Sequence, residues 1–182
     1  MSTYHHGSLR PALLRAAGKT LEKEGAGALS LRAAARNAGV SHNAPYRHFQ
    51  DRDALLAALA AEGFELLGEA MRDHSGREMG EAYVRFALAH PQRFRLMFGG
   101  VLPMAQHPQL GEAASRAYEA LLGAFKELPN AELAAAAAWS LVHGLAHLVL
   151  DGHFAAAQKA AGGAERFAAQ VIGTVRFAQG AG

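Results

Sequence analysis

The sequence predicts an all-α protein of about nine helices. Three observations carry that expectation. Alanine occupies 42 of 182 positions while Val, Ile and Thr are scarce, and Ala loses no side-chain entropy in a helix whereas β-branched residues suit pleated sheets. Apolar residues recur at helical spacing, and no alternating apolar/polar run is long enough to read as a strand. The chain has 20 Gly but only 6 Pro, so the glycines read as punctuation between helices or as points of close approach.

The elements follow in order. Ser8 reads as an N-cap, with Pro11 in the first turn, where a missing N–H costs little. Leu13, Leu14, Ala17 and Leu21 give the first helical stripe, and Gly25 ends it. Ala26–Leu29 reads as a linker. Ser30 caps a short second helix, 31–37, in which Ala34 and Ala35 are small enough to lie against a neighbour. Gly39 breaks that helix, Ser41 caps a third running through His48, and Val40 and Phe49 bury inward. Asp51 caps a long fourth helix, about 51–72, with Leu55, Leu56, Leu59, Phe64, Leu66 and Leu67 as its apolar face. After a break at His74–Gly76 come helices at 78–89 and from Pro91 to Phe98, then a loop from Gly99 to Pro108. Helices at about 109–127, 131–151 and 164–179 complete the series, with the tract 152–163 as a separator.

Composition and charge narrow the function. With no cysteine, disulfides, thiolate zinc sites and cysteine nucleophiles are excluded. Net charge is only +2, but it is uneven: residues 1–53 hold eight Lys/Arg against four Asp/Glu, and the remainder ten against twelve. A basic first quarter on a near-neutral body suggests a module that meets an anion, nucleic acid first. The opening residues lack the apolar core of a signal peptide, so the expected location is the cytoplasm. Leu133–Leu150 runs 18 residues without a formal charge, near the minimum for a membrane span. It contains Ser140, His143 and His147 and has no flanking Lys/Arg bias. It therefore reads as a helix buried in protein on most sides, and no membrane partner is expected.

Ser30 to Arg52 has the outline of a helix-turn-helix, two short helices across a tight Gly-containing turn, which places the second in a major groove. Gly39 accommodates positive φ there without a Cβ penalty. The outward groups of the third helix are then Ser41, His42, Asn43, Ala44, Tyr46, Arg47 and His48. Asn43 suits an adenine edge and Ala44 a thymine methyl; Tyr46, His48 and Arg52 suit phosphates, which set register without reading sequence. Ser30 and Arg32 stand at a helix start, which also favours phosphate.

These residues resemble the signature of the TetR family of transcriptional regulators. Ala35-Arg-Asn-Ala38-Gly39-Val40-Ser41, Tyr46-Arg-His48-Phe49, Arg52 and Leu55-Leu56 match it in order and spacing, and Tyr4–Arg10 is similar to the start of many members. Asn43, Pro45 and Gln50-Asp51 depart from the pattern, which puts any borrowed base preference in question. The resemblance implies a DNA-binding domain over 1–53 and a ligand-binding and dimerisation domain over 54–182. A second resemblance, to a TetR C-terminal type with a Trp-His-Gly motif, rests on Trp139, His143 and Gly144. The expected protein is a homodimeric regulator that acts as a repressor on a pseudo-palindromic duplex DNA operator and is released by an unidentified small molecule.

In the body, Phe86, Phe94, Met97, Phe98, Tyr118, Trp139 and His143 are candidates to line an effector pocket, with plain core packing as the alternative. Ala134, Ala138, Leu141, Phe167, Val171 and Val175 are candidates for a four-helix interface with a second copy. His143 and His147 share the spacing of two zinc ligands, but position 144 is Gly where a metalloprotease needs its Glu. No metal or cofactor is expected. An enzyme finds no support, since no nucleophile elbow, phosphate loop or close carboxylate pair is present. An interaction protein without DNA binding fits poorly with Arg32, Tyr46, His48 and Arg52 all in place.

Overall fold

The computed structural model describes residues 9–74 and 76–175, all helix, turn or loop. Nine α-helices occur among them: α1 (Leu9–Glu24), α2 (Leu31–Asn37), α3 (Arg52–Met71), α4 (Gly76–Ala89), α5 (Pro91–Phe98), α6 (Pro108–Gly123), α7 (Ala131–Leu150), α8 (Ala155–Ala161) and α9 (Ala164–Thr174). Ser8 and residues 176–179 lie outside the described residues. Contacts divide the chain into two units. One takes the chain up to Phe64 together with Gln92–Ala114; the other takes Glu65–Pro91 and the chain from Ser115 onward.

In the first unit, local capping sets the helix ends. The Ser30 hydroxyl accepts the Ala33 N–H at 3.0 Å and Asp51 Oδ1 accepts the Ala54 N–H at 2.8 Å, each satisfying a donor that the helix start leaves over. Leu13, Ala17, Leu21, Leu55 and Leu59 are wholly buried. Across α1 and α2, the Asn37 side-chain amide donates to the Thr20 hydroxyl at 2.9 Å, and that hydroxyl donates to the Ala16 carbonyl. The Glu22 carboxylate accepts the N–H groups of Gln92 and Arg93, both at 3.1 Å, and so caps the start of α5. Arg93 in turn is buried, with Nη1 donating to the Leu59 carbonyl at 3.0 Å and to Glu62 at 2.8 Å. Its path is left open by two glycines. A Cβ at Gly18 would stand 2.8 Å from Arg93 Nη2, and one at Gly63 would stand 2.6 Å from Met97 Sδ and 3.0 Å from Arg93 Cγ.

In the second unit, α4 packs against α7 and α9, and α8 against α9. Met79, Tyr83, Val84, Phe86, Val142, Leu145, Val149 and Ile172 are buried there. Gly80 brings α4 close to α7 and α9: a Cβ would stand 3.2 Å from Val142 Cγ1 and 3.5 Å from Ile172 Cγ2.

The structure departs from the sequence expectation at several places. The third helix is not α over Ser41–His48 but a single 3-10 turn, Ala44–Arg47, for a reason that lies in Pro45. The 26–29 linker contains a 3-10 turn, Ala26–Ala28. Val40 is half-buried rather than fully inward. The helix expected over 109–127 ends at Gly123, after which i→i−3 bonds carry the chain (Ala124 N–H to Leu121, Phe125 N–H to Leu122). The separator 152–163 contains α8, which has no buried residue and so shows no apolar stripe. It is framed by left-handed Phe154 and Gly162, and the Gln158 side-chain amide donates to the His153 carbonyl at 2.7 Å. α7 is long and apolar enough to cross a membrane, and 33% of its most apolar window is buried within the chain. It is therefore less covered than the expected burial on most sides.

Candidate nucleic-acid interface

Gly39 takes φ +68° and turns the chain out of α2. The Val40 N–H still reaches the Ala35 carbonyl at 3.0 Å. The Asn43 N–H lies 3.4 Å from the Ser41 hydroxyl, a weak local cap. Pro45 is fully buried and Phe49 is 3% exposed. These two inward residues fix which side of the turn faces solvent. The Arg10 guanidinium sits 5.5 Å from the centre of the Phe49 ring, close enough for a cation–π contact between α1 and the end of the turn.

With that side fixed, Ser41, His42, Asn43, Tyr46, Arg47 and His48 are exposed and Ala44 is half-buried; Tyr46 is 52% exposed. Arg32 is exposed on α2, and Arg36, one helical turn further on, is exposed too. From Gly25 to Gln50 there is no Asp or Glu, so the surface carries cations and neutral donors with no carboxylate to answer them. Sequence reasoning passed over Arg36, although its four-residue spacing from Arg32 puts both on one helical face. Among the described residues, none of the side chains of Arg32, Arg36, His42, Tyr46, Arg47 and His48 has a hydrogen bond or ion pair within the chain.

Besides Ser41, whose hydroxyl weakly caps Asn43, two members of the expected set are engaged internally. The Ser30 hydroxyl serves α2 as its cap. Arg52 Nε donates to the Leu29 carbonyl at 2.9 Å, its Nη2 to the Ala26 carbonyl at 2.6 Å, and its Nη1 lies 3.7 Å from Asp53. Its guanidinium ties the 26–29 turn to the start of α3.

The body candidates fall into separate groups. In the first unit Phe94 and Met97 are buried, with Phe98 5.0 Å from Phe94 and 5.2 Å from Phe64, ring centre to ring centre. In the second unit Phe86 is buried against His90. There, too, Tyr118, Trp139, His143 and His147 form a chain of rings, 6.0, 5.8 and 4.6 Å apart in turn. Trp139 Nε1–H donates to the Tyr83 hydroxyl at 3.2 Å, and that hydroxyl is 2.8 Å from His143 Nδ1. Burial pushes the Tyr83 phenol well above its ordinary range. Burial, and then the neighbouring His147, lower the pKa of His143. A neutral His143 accepting the Tyr83 proton on Nδ1 fits both tendencies. Tyr83 was not among the sequence candidates; it stands 60 residues from His143 and no local pattern links them.

Of the expected interface residues, Ala138 is buried within its own unit, Ala134, Leu141, Phe167 and Val171 are half-buried, and Val175 is exposed. The face of α7 open to solvent carries Leu133 (72% exposed), Ala136, Ala137, Ser140 and Leu148. No group of three or more His, Cys, Asp or Glu placed to hold a metal occurs among the described residues.

Comparison with known proteins gives a consistent picture. The family model for bacterial regulatory proteins of the tetR family matches residues 13–59, and the one for the tetracyclin repressor-like C-terminal domain matches residues 76–174, more than half of the chain. The HTH-type transcriptional regulator Rv1816 of Mycobacterium tuberculosis is 31% identical over 96 residues. That match covers 47% of this chain and 41% of the relative, so the chain spans less than half the length of such curated relatives. Among solved structures, a protein of unknown function from Rhodococcus sp. RHA1 is 35% identical, with a TM-score of 0.79 over 96% of both chains. The TetR family transcriptional regulator PfmR from Thermus thermophilus shares the fold at 24% identity, with a TM-score of 0.58 over 88% of this chain and 94% of that one.

Proposed function

The chain belongs to the TetR family of DNA-binding transcriptional regulators, and we propose that it acts as a cytoplasmic, homodimeric repressor. In this reading it holds a pseudo-palindromic operator and is released when a small molecule binds its body, with no catalysis and no cofactor. One observation carries the DNA part: an acid-free surface from Gly25 to Gln50 on which three Arg, two His and Tyr46 stand exposed with no partner among the described residues. Groups left unpaired on a rigid scaffold are ready to meet phosphate oxygens and base edges without first breaking internal bonds.

Roles follow from placement. Arg32, Arg36, His42, Tyr46 and His48 contact the backbone, while Ser41, Asn43, Ala44 and Arg47 face base edges. Arg52 acts indirectly, by holding the module's shape. One such turn reads too few bases to be selective, so two copies set about 34–36 Å apart would address successive major grooves. The exposed Leu133, Ala136, Ala137 and Leu148 of α7 and its half-buried Leu141, with the half-buried Phe167 and Val171 of α9 and Val175 just after it, supply apolar surface for a second copy. Tyr118 and Trp139, beside His143, offer the effector aromatic faces.

Selection of bound fragments from a random duplex pool tests this reading. The expected result is an enriched site with two inverted half-sites about one helical turn apart, and a binding constant that falls steeply with salt. An unenriched pool, or a sedimenting species that stays monomeric at high protein concentration, would sink it.

A further inference from the structure

We infer that Pro45 determines which operator bases are read, by turning the recognition segment into a single 3-10 turn that separates Asn43 from Arg47. The inference rests on the DNA-binding reading above and goes beyond it, because it assigns specificity to a residue that touches no DNA.

An α-helix that started after Ser41 would make its first backbone bond from the N–H of residue 45 to the Ser41 carbonyl. Proline has no N–H, and its ring crowds the carbonyl four residues back. The Ser41 carbonyl instead accepts the Ala44 N–H, one residue earlier, at 2.9 Å. The turn then closes on Pro45 itself, whose carbonyl accepts the N–H groups of both His48 and Phe49 at 2.9 Å. Because Pro45 is fully buried, the turn cannot rotate about its axis without emptying that site.

The pitch decides which side chains stand together. At three residues per turn, Asn43 and Tyr46 share one ridge and Ala44 and Arg47 share another. Asn43 and Arg47 then point about 120° apart around the axis. In an α-helix the same two residues would lie within about 40° of each other, on one ridge and within reach of the same or neighbouring base pairs. The short Ala44 side chain beneath Arg47 leaves the guanidinium room to extend into a groove. Its planar fork fits the O6 and N7 edge of guanine, while the amide of Asn43 fits adenine. The two residues therefore read different base pairs, each independently of the other.

The test uses the full chain and the same random-duplex selection, applied to the wild type, Asn43→Ala, Arg47→Ala, their double variant and Pro45→Ala. Both single side-chain variants are at exposed positions and will fold. Arg47→Ala should lower discrimination for guanine at one base pair by roughly ten- to a hundredfold, and Asn43→Ala should relax a different base pair. In the double variant the two losses should multiply. Pro45→Ala restores the missing N–H without adding volume, so its circular dichroism should gain helical signal and its preferred site should change at one or both of those base pairs. The inference is overturned if Asn43→Ala and Arg47→Ala alter the same base pair, or if folded Pro45→Ala selects the wild-type site unchanged. Should Pro45→Ala fail to fold, the positions relaxed by the two single variants decide alone. A wild type that enriches no sequence would instead overturn the operator reading, a separate result from either of these.

Discussion

The turn at Ser41–His48 and the cluster on α4 and α7 are built from similar side chains, Tyr and His in both, and use them in opposite ways. In the turn, Pro45 and Phe49 take the interior and every polar ring faces water. In the cluster, the Tyr83 hydroxyl is buried between Trp139 Nε1 and His143 Nδ1. Polar groups in the cluster answer one another, because a buried donor or acceptor left unmade costs more than a made one gains. The polar rings of the turn and Arg47 are exposed and have no hydrogen-bond or ion-pair partner among the described residues. Identical chemistry is therefore structural in one place and available for binding in the other, and the neighbours decide which.

Substitutions can break or sharpen that contrast. Phe49→Ala should have the largest effect, about 3–5 kcal/mol of stability, since it empties the interior side of the turn; denaturant unfolding measures it, and a loss below about 1 kcal/mol would show that the turn is not anchored there. Tyr83→Phe leaves Trp139 Nε1 and His143 Nδ1 without their shared partner and should cost about 1–3 kcal/mol. DNA affinity per folded molecule should stay the same, as a titration of active protein would reveal.

The third effect is a pH dependence. The folded-state pKa of His143 is depressed below its unfolded value, so the unfolded chain binds the proton more readily. Its contribution to stability is present above about pH 6.5, the ordinary histidine value, and is lost as pH falls below it. Melting curves at descending pH should show this loss, and His143→Gln should remove part of it; an unchanged pH profile in the variant would count against a neutral, half-buried His143. Arg32→Ala should have the smallest effect on stability, within about 0.5 kcal/mol. It should nevertheless weaken binding to all sequences alike and lower the magnitude of the salt slope by about one. If stability falls while the slope is unchanged, Arg32 belongs with the structural groups.

What the sequence made legible was local. Gly25, Ser30, Gly39 and Asp51 act within four residues of themselves, and each ends or starts a helix where expected. The 3-10 turn was also local and was missed, although Pro45 four residues after Ser41 carries the signal. α8 escaped because a seven-residue alanine helix on the surface needs no apolar period. Arg52 reads as a phosphate ligand by its position in the motif, yet the carbonyls of Ala26 and Leu29 engage it across 26 and 23 residues. Tyr83 and His143 meet across 60. Contacts of that span depend on how helices pack, which no window of sequence contains.

Gly18 and Gly63 matter through the atoms they lack. A scan that truncates side chains to alanine would pass over both, since at each of them alanine is the insertion. A methyl at Gly18 would press on Arg93 Nη2, and one at Gly63 on Met97 and the stem of Arg93. The Arg93 side chain would have to shift, and with it the Nη1 bonds to Leu59 and Glu62. These two positions are thus weak points that truncation screens cannot see, and a mutational survey of this protein should enlarge residues as well as shrink them.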